Sequence, residues 1–336
     1  MFSLEDGRPI AKSDRLSKNK IILSIIDPDQ QDERETKKPV IIPKKKGNGG
    51  CKFKGCGSHN KKPCCRHCDE EECPDLPCCN NCRIYYAEDF TETSSDNSDA
   101  YSSSESSECQ KSHSEKGLQM TRFTAPRDTK LVPLPDLTER FVEYIAGPSG
   151  SGKSHIASGL ATEFKRINPR KPVYIFSRTD ARKDPVYRNL KPIQIDINET
   201  LLEDPIDITD EIKEGGALMI FDDCGTIQDD KLRKEVEKLM SDAMEVGRKL
   251  NCNIIITNHL VIPNEKKFAR TVLNEFNTLT VFPKSGSSQQ IRYALKTYVG
   301  LNNKQIDDIL ALKSRWVRIS KSYPQYVLYD KGAYIL

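Results

Sequence analysis

Gly147-Pro148-Ser149-Gly150-Ser151-Gly152-Lys153-Ser154 fits the pattern G-x-x-x-x-G-K-[ST], and its surroundings restrict the fold more than any other stretch of the chain. Phe141 to Ala146 reads as a buried strand running into this octet, and His155 to Arg166 as a helix leaving it. A strand, a glycine-rich turn and a helix N-terminus together converge backbone N–H groups on a phosphate. Gly147 through Ser154 are therefore the candidate nucleotide-binding residues. Lys153 is expected to reach the β/γ oxygens, and Ser154 to hold Mg²⁺. ATP or GTP is the expected ligand.

Strand-like runs then alternate with helical ones: Val173 to Phe176, Pro192 to Ile195, Ala217 to Phe221, Asn253 to Thr257 and Thr278 to Phe282. Alternation of this kind predicts an α/β fold, a P-loop NTPase with a mainly parallel sheet flanked by helices. Asp229 to Leu250 carries Leu232, Val236, Leu239, Met240, Ala243 and Val246 at helical spacing, which predicts a long helix on the sheet.

The chain has 336 residues and a formal charge of +3, an average that conceals blocks of opposite sign. No acid occurs between Lys37 and Arg66, and no base between Glu88 and Glu108. These shifts divide the sequence into a mostly disordered arm (1–50), a cysteine-rich module (51–83), an acidic, serine-rich linker (84–118) and the ATPase domain (119–336). No run approaches the eighteen or so apolar residues that span a bilayer, and no secretory pattern opens the chain, so a soluble intracellular protein is expected.

Asp222 and Asp223 close the apolar run Ala217 to Phe221. Hydrolysis needs a carboxylate near Mg²⁺ and a base for the attacking water. Asp222 is assigned to the metal, together with Ser154, and Asp223 to the water. A third run ends in Thr257-Asn258-His259, which puts polar groups at the sheet edge where ligands sit in open parallel sheets; His259 is the candidate γ-phosphate sensor. An arginine commonly stabilises the transferring phosphoryl group. Arg248 is the first candidate, with Arg270, Arg315 and Arg318 as alternatives.

These residues resemble the FtsK/HerA-type ATPases and, among them, the genome-packaging ATPases of large nucleocytoplasmic DNA viruses. The resemblance spans roughly 120–336. It rests on the loop at Gly147 to Ser154, the acid pair Asp222/Asp223, the basic turn Gly247-Arg248-Lys249, and Ser314 to Ile319 followed by Tyr323 to Leu328. One position departs from the pattern: the family usually ends its sensor strand in glutamine where this chain has His259. The resemblance implies a homo-oligomeric ring with ATP sites at subunit interfaces, moving double-stranded DNA into a capsid. It further implies viral capsid or inner-membrane proteins as partners, and a place in the host cytoplasm, in the virus factory or the virion. Lys266, Lys267 and Arg270 are candidate DNA contacts.

Nine cysteines fall at Cys51, Cys56, Cys64, Cys65, Cys68, Cys73, Cys78, Cys79 and Cys82. The Cys65/Cys68 and Cys79/Cys82 spacings match the bite of a tetrahedral Zn²⁺ site, and nothing marks the chain for an oxidising compartment. Zinc is expected, with disulfides or an iron–sulfur cluster as alternatives. Cys224 and Cys252 stand apart and are expected to be buried apolar residues. Two other readings of the whole chain remain at this point: a P-loop small-molecule kinase, or a zinc-dependent adaptor switched by nucleotide. A GTPase is disfavoured, because Asn303-Lys304-Gln305-Ile306 has isoleucine where guanine recognition wants aspartate.

Overall fold

Continuous apolar runs such as Leu218-Met219-Ile220-Phe221 belong to strands buried on both faces, because in a parallel sheet the crossover helices cover each side. The computed structural model, which describes residues 1–14, 21–27, 120–137, 139–212 and 215–336, contains such a sheet. Six strands run parallel in the order β11 (Thr278–Val281), β6 (Val142–Ala146), β10 (Asn253–Asn258), β9 (Leu218–Phe221), β7 (Val173–Ser177), β8 (Ile193–Asp196). Beyond β11 the sheet continues antiparallel through β12 (Val317–Ser320), β13 (Tyr326–Tyr329), β14 (Gly332–Ile335) and β4 (Arg122–Thr124). Every strand expected in the phosphate-binding half is present within a residue or two of its expected bounds. The antiparallel half was not expected as a set of strands.

Alternate residues of the central strands feed two cores, as the two-residue period of a strand requires. Phe141, Ile145, Leu218, Ile220 and Ile255 face α1 (Lys153–Ile167), which contributes Ile156, Leu160 and Phe164. Val142, Tyr144, Met219, Phe221, Ile254 and Ile256 face the other side. Two short helices, α2 (Thr200–Glu203) and α3 (Ile208–Glu211), join that second core. Its main cover is α4 (Asp230–Glu245), α5 (Lys266–Glu275), α6 (Ser288–Ala294) and α7 (Asn303–Ala311). Asp229 caps α4 by accepting from the Leu232 N–H, and the helix ends at Glu245, five residues short of its expected end. The remaining residues up to Leu250 form turns, and Gly247 packs so tightly that a Cβ there would lie 2.1 Å from the Ala243 carbonyl oxygen.

The N-terminal residues correct an expectation. Instead of a disordered arm, the described residues form β1 (Phe2–Ser3), β2 (Arg8–Ser13) and β3 (Ile22–Ile25). With β5 (Leu131–Pro133) they make a second, antiparallel sheet in the order β1-β3-β2-β5. Phe2, Ile10, Leu23 and Ile25 pack on Phe123, Tyr326, Leu328 and Ala333 of the large sheet, with Phe2 edge-on to Tyr326 at 6.4 Å. Lys12 pairs with Glu163 on α1, and Arg8 reaches Asp136 at 2.5 Å. These strands thus belong to the same compact unit as the large sheet. The boundary expected at residue 50 therefore does not separate them from it. Phe2→Ala should lower the unfolding free energy in urea by about 3 kcal/mol, the cost of removing a buried ring. A change within ~0.5 kcal/mol would show that this sheet contributes little.

The cysteine block and the acidic, serine-rich stretch lie outside the described residues. Cys224 and Cys252 are buried and unpaired, as expected. Among the described residues no helix is long and apolar enough to cross a membrane.

Candidate functional site

The parallel register brings three chain turns to one edge of the sheet. Asn258 pairs with Ala146 and Ile256 with Phe221, so the residues after β6, β9 and β10 emerge side by side. β10 lies between the other two. The Gly147 N–H donates to the Asn258 carbonyl at 3.0 Å, tying the start of the glycine loop to the end of β10.

Gly150 and Gly152 have φ of +72° and +111°, the left-handed region where glycine is favoured. Gly152 is the N-cap of α1, yet no side chain caps that helix, and its first turn holds no acid. The first N–H groups of α1 are left for an anion. Arg315, from the segment before β12, grips the loop from behind: its Nε donates to the Ser151 carbonyl at 2.8 Å and its Nη2 to the Gly150 carbonyl at 2.7 Å. Within the loop the Ser151 N–H donates to the Pro148 carbonyl at 3.2 Å. Of the alternative arginines, Arg315 is the one that touches the phosphate loop.

Lys153 is 4% exposed, and its Nζ lies 3.4 Å from both the Pro148 carbonyl and Asp223 Oδ1. Asp223 adopts φ +50°, a left-handed conformation that aspartate tolerates. Its N–H donates to Thr257 Oγ1 at 2.9 Å, and its Oδ2 stands 3.3 Å from His259 Nε2. Lys153, Asp223 and His259, singled out separately in the sequence, therefore form one chain of contacts.

Asp222 is partly buried. Its Oδ1 accepts from Tyr187 Oη at 2.8 Å and Thr257 Oγ1 at 3.0 Å, with Ser154 Oγ at 3.4 Å. Burial pushes its carboxyl above the usual range, the hydrogen bonds from Tyr187 and Thr257 oppose the rise, and the neighbouring Asp223 charge adds to it. A divalent cation would relieve that cost, and two oxygen donors, Ser154 Oγ and Asp222 Oδ1, already lie together. These residues fit ATP·Mg²⁺: a buried ammonium, free helix-terminal N–H groups and a paired hydroxyl and carboxylate.

Tyr187 was missed from sequence. It belongs to no motif and reaches Asp222 from the segment between β7 and β8, a consequence of tertiary packing alone. Burial, followed by the nearby Asp222 charge, holds its phenol well above the ordinary range, so it remains a donor. Arg248 is not brought to the site within this chain. It is exposed in the turn before β10, at the opposite edge of the sheet, and the six residues of β10 put roughly 20 Å between it and the loop. Arg140, not Arg248, caps the adjoining carbonyls of Met244 at 2.7 Å and Cys252 at 2.8 Å. Arg318 is buried in an ion pair with Glu143, and Arg270 is exposed on α5. Lys266, Lys267 and Arg270 line a groove that also holds Glu245, Glu265 and Glu275, so its charge is mixed.

Comparison with known proteins gives a relative of substantial identity. The chain is 43% identical over 204 residues to the uncharacterized protein V3 of Sputnik virophage, covering 61% of this chain and 80% of that protein. This chain belongs to the V3 family. No protein-family model matches it. Several solved structures align with part of it. B204, the DNA-packaging ATPase from Sulfolobus turreted icosahedral virus, aligns with 58% of this chain and 98% of its own at 11% identity and a TM-score of 0.43. The cytoplasmic domain of the Type VII secretion ATPase EccC from Thermomonospora curvata aligns with 64% of this chain and 28% of its own, at 11% identity and a TM-score of 0.41. B204 from Sulfolobus turreted icosahedral virus 2, in complex with ATP-gammaS, gives 12% identity and a TM-score of 0.40, over 59% of this chain and 98% of that one.

Proposed function

We propose that this V3-family chain is an ATP-driven translocase that packages double-stranded viral DNA into a capsid, working as a homo-oligomeric ring with Mg²⁺-dependent ATP hydrolysis at subunit interfaces. The observation that carries the ATPase half is the contact chain Lys153–Asp223–His259 beside the uncapped N-terminus of α1. Lys153 and the loop N–H groups bind the β and γ phosphates. Ser154 and Asp222 would hold Mg²⁺, which would supply charge neutralisation at the phosphates. Asp223 accepts the proton of the attacking water. His259, in contact with Asp223, senses the γ-phosphate. Arg248, remote from the loop of its own chain, serves the site of a neighbouring subunit.

The packaging half rests on the virophage relationship and on the order of motifs. DNA passes along basic side chains, with Lys266, Lys267 and Arg270 among the contacts. The cysteine-rich segment binds Zn²⁺ and, with its flanking lysines, docks DNA or a capsid or inner-membrane partner in the host-cytoplasmic virus factory or the virion.

The decisive experiment measures ATP turnover of the full chain with and without duplex DNA, alongside its mass in solution. DNA-stimulated turnover by an oligomer supports the reading. Turnover that ignores DNA but follows a small phosphoryl acceptor makes the chain a kinase, and nucleotide binding without turnover makes it a switch. Tyr187→Phe removes one donor to Asp222 while keeping the buried ring. The Mg²⁺ concentration for half-maximal turnover should then rise about tenfold, as when a metal ligand loses its outer hydrogen bond. The KM for ATP at saturating Mg²⁺ should stay unchanged. An unaltered Mg²⁺ dependence would mean Tyr187 only fills space.

A further inference from the structure

A cleft of about 460 Å³ opens beside the phosphate loop. One wall is the loop and the first turns of α1, including Ser151, Gly152 and His155; the opposite wall is β5 of the N-terminal sheet, and Phe282, Trp316 and Asp330 complete the lining. The volume lies within the range of small-molecule pockets. Gly152 belongs to both the loop and the cleft, so the two form one continuous site.

Two polar atoms around this cleft have no hydrogen-bond partner although both are shielded from solvent: Ser151 Oγ and Asp330 Oδ1. Ser151 is 5% exposed. Buried polar groups are nearly always satisfied, and an orphan at a cleft wall calls for a donor or acceptor from the occupant. Resting on the ATPase reading above, we propose that the cleft takes the adenosine half of the nucleotide, with Trp316 as the aromatic surface for the base and Asp330 as the acceptor for its exocyclic amine.

The chemistry selects the base. A carboxylate accepts but does not donate, so it favours a base edge carrying N–H and repels one carrying a carbonyl oxygen. The exocyclic amine of adenine presents such an N–H to the Asp330 carboxylate. The segment nearest in sequence to a guanine-recognition motif is engaged elsewhere: Gln305 and Asn302 form the capping box of α7. Aromatic stacking is tolerant of base identity, so Trp316 contributes affinity and Asp330 selectivity. The N-terminal sheet then has a direct part in nucleotide binding as one wall of the site.

Trp316 is the lone tryptophan of the chain, so its fluorescence reports on this cleft. The full chain is titrated, by calorimetry and fluorescence, with three Mg²⁺ complexes: β,γ-methylene ATP, the corresponding analogue of purine riboside triphosphate, which lacks the amine, and inorganic tripolyphosphate. The ATP analogue should change Trp316 fluorescence and bind about ten- to a hundredfold tighter than tripolyphosphate. The purine riboside analogue should bind about tenfold weaker than the ATP analogue, a gap that closes in Asp330→Ala. Equal affinity of the ATP analogue and tripolyphosphate, or a silent Trp316, overturns the proposal and leaves the phosphate-loop reading standing. A missing gap between the two purine analogues in the wild-type chain removes the role of Asp330 without recourse to any variant. Failure of all three to bind removes the ATPase reading and this proposal with it.

Discussion

Asp223→Asn is expected to lower ATP turnover by a factor on the order of 10² to 10⁴, the usual contribution of a positioned general base. ATP binding should remain, and become equal to or a few-fold tighter than wild type. Asparagine tolerates the left-handed φ of +50° at this position as aspartate does, so the backbone turn and its N–H donation to Thr257 survive. What is lost is a proton acceptor and the charge facing Lys153 at 3.4 Å. Releasing Lys153 from that carboxylate leaves its ammonium free for phosphate, which is why affinity should not fall. Single-turnover hydrolysis measured beside equilibrium binding separates the two effects. Wild-type turnover in this variant would move the base elsewhere, and lost binding would make Asp223 a structural support of the loop.

Arg318→Met should destabilise the fold by about 3–5 kcal/mol, because it leaves a carboxylate without its counter-charge inside the sheet. Glu143 and Arg318 are 0% and 1% exposed and meet at 2.8 Å. Glu143 also accepts from the hydroxyls of Thr278 and Thr280, and Arg318 donates to the Leu134 carbonyl at 2.9 Å. Burial alone would make the guanidinium easier to deprotonate, but the charge and hydrogen bond of Glu143, together with the nearby Tyr326 and Asp136, outweigh it and keep Arg318 charged. The pair stitches β6, β11 and β12 to the segment that follows β5. Replacing both partners, as in Glu143→Met with Arg318→Met, should recover much of the loss, since no charge is then stranded. Urea unfolding of the two variants tests this. A single variant within about 1 kcal/mol of wild type would show that water or another cation reaches Glu143.

The phosphate loop, the acid pair and His259 were legible because each sits at the end of an apolar run, and parallel strands deliver such ends to one edge. Their mutual contacts follow from strand order, which the alternation of elements implies. Tyr187 and Arg315 were not legible as partners of the loop. Each reaches the site from a connecting segment whose path is set by packing, and neither spacing nor periodicity records it. The N-terminal strands were hidden for another reason. β2 contains Pro9 and its register with β3 shifts between Pro9 and Ala11, so no clean alternation survives in the sequence. Their apolar partners, Tyr326, Leu328 and Ala333, lie at the far end of the chain, beyond the reach of any local pattern. Arg248 lies at the opposite end of β10 from the loop of its own chain, a placement that follows from strand direction and not from its neighbours in sequence.

The packing of Phe2 against Tyr326 bears on how the molecule comes into being. On the ribosome β1 to β3 are synthesised well before β13 and β14, so their apolar side waits for Tyr326, Leu328 and Ala333 to complete its cover. Contacts this distant along the chain slow the search for the native state and lengthen exposure to aggregation or chaperone capture. Synthesis of β13 and β14 therefore sets the moment at which β1 to β3 gain their full shelter.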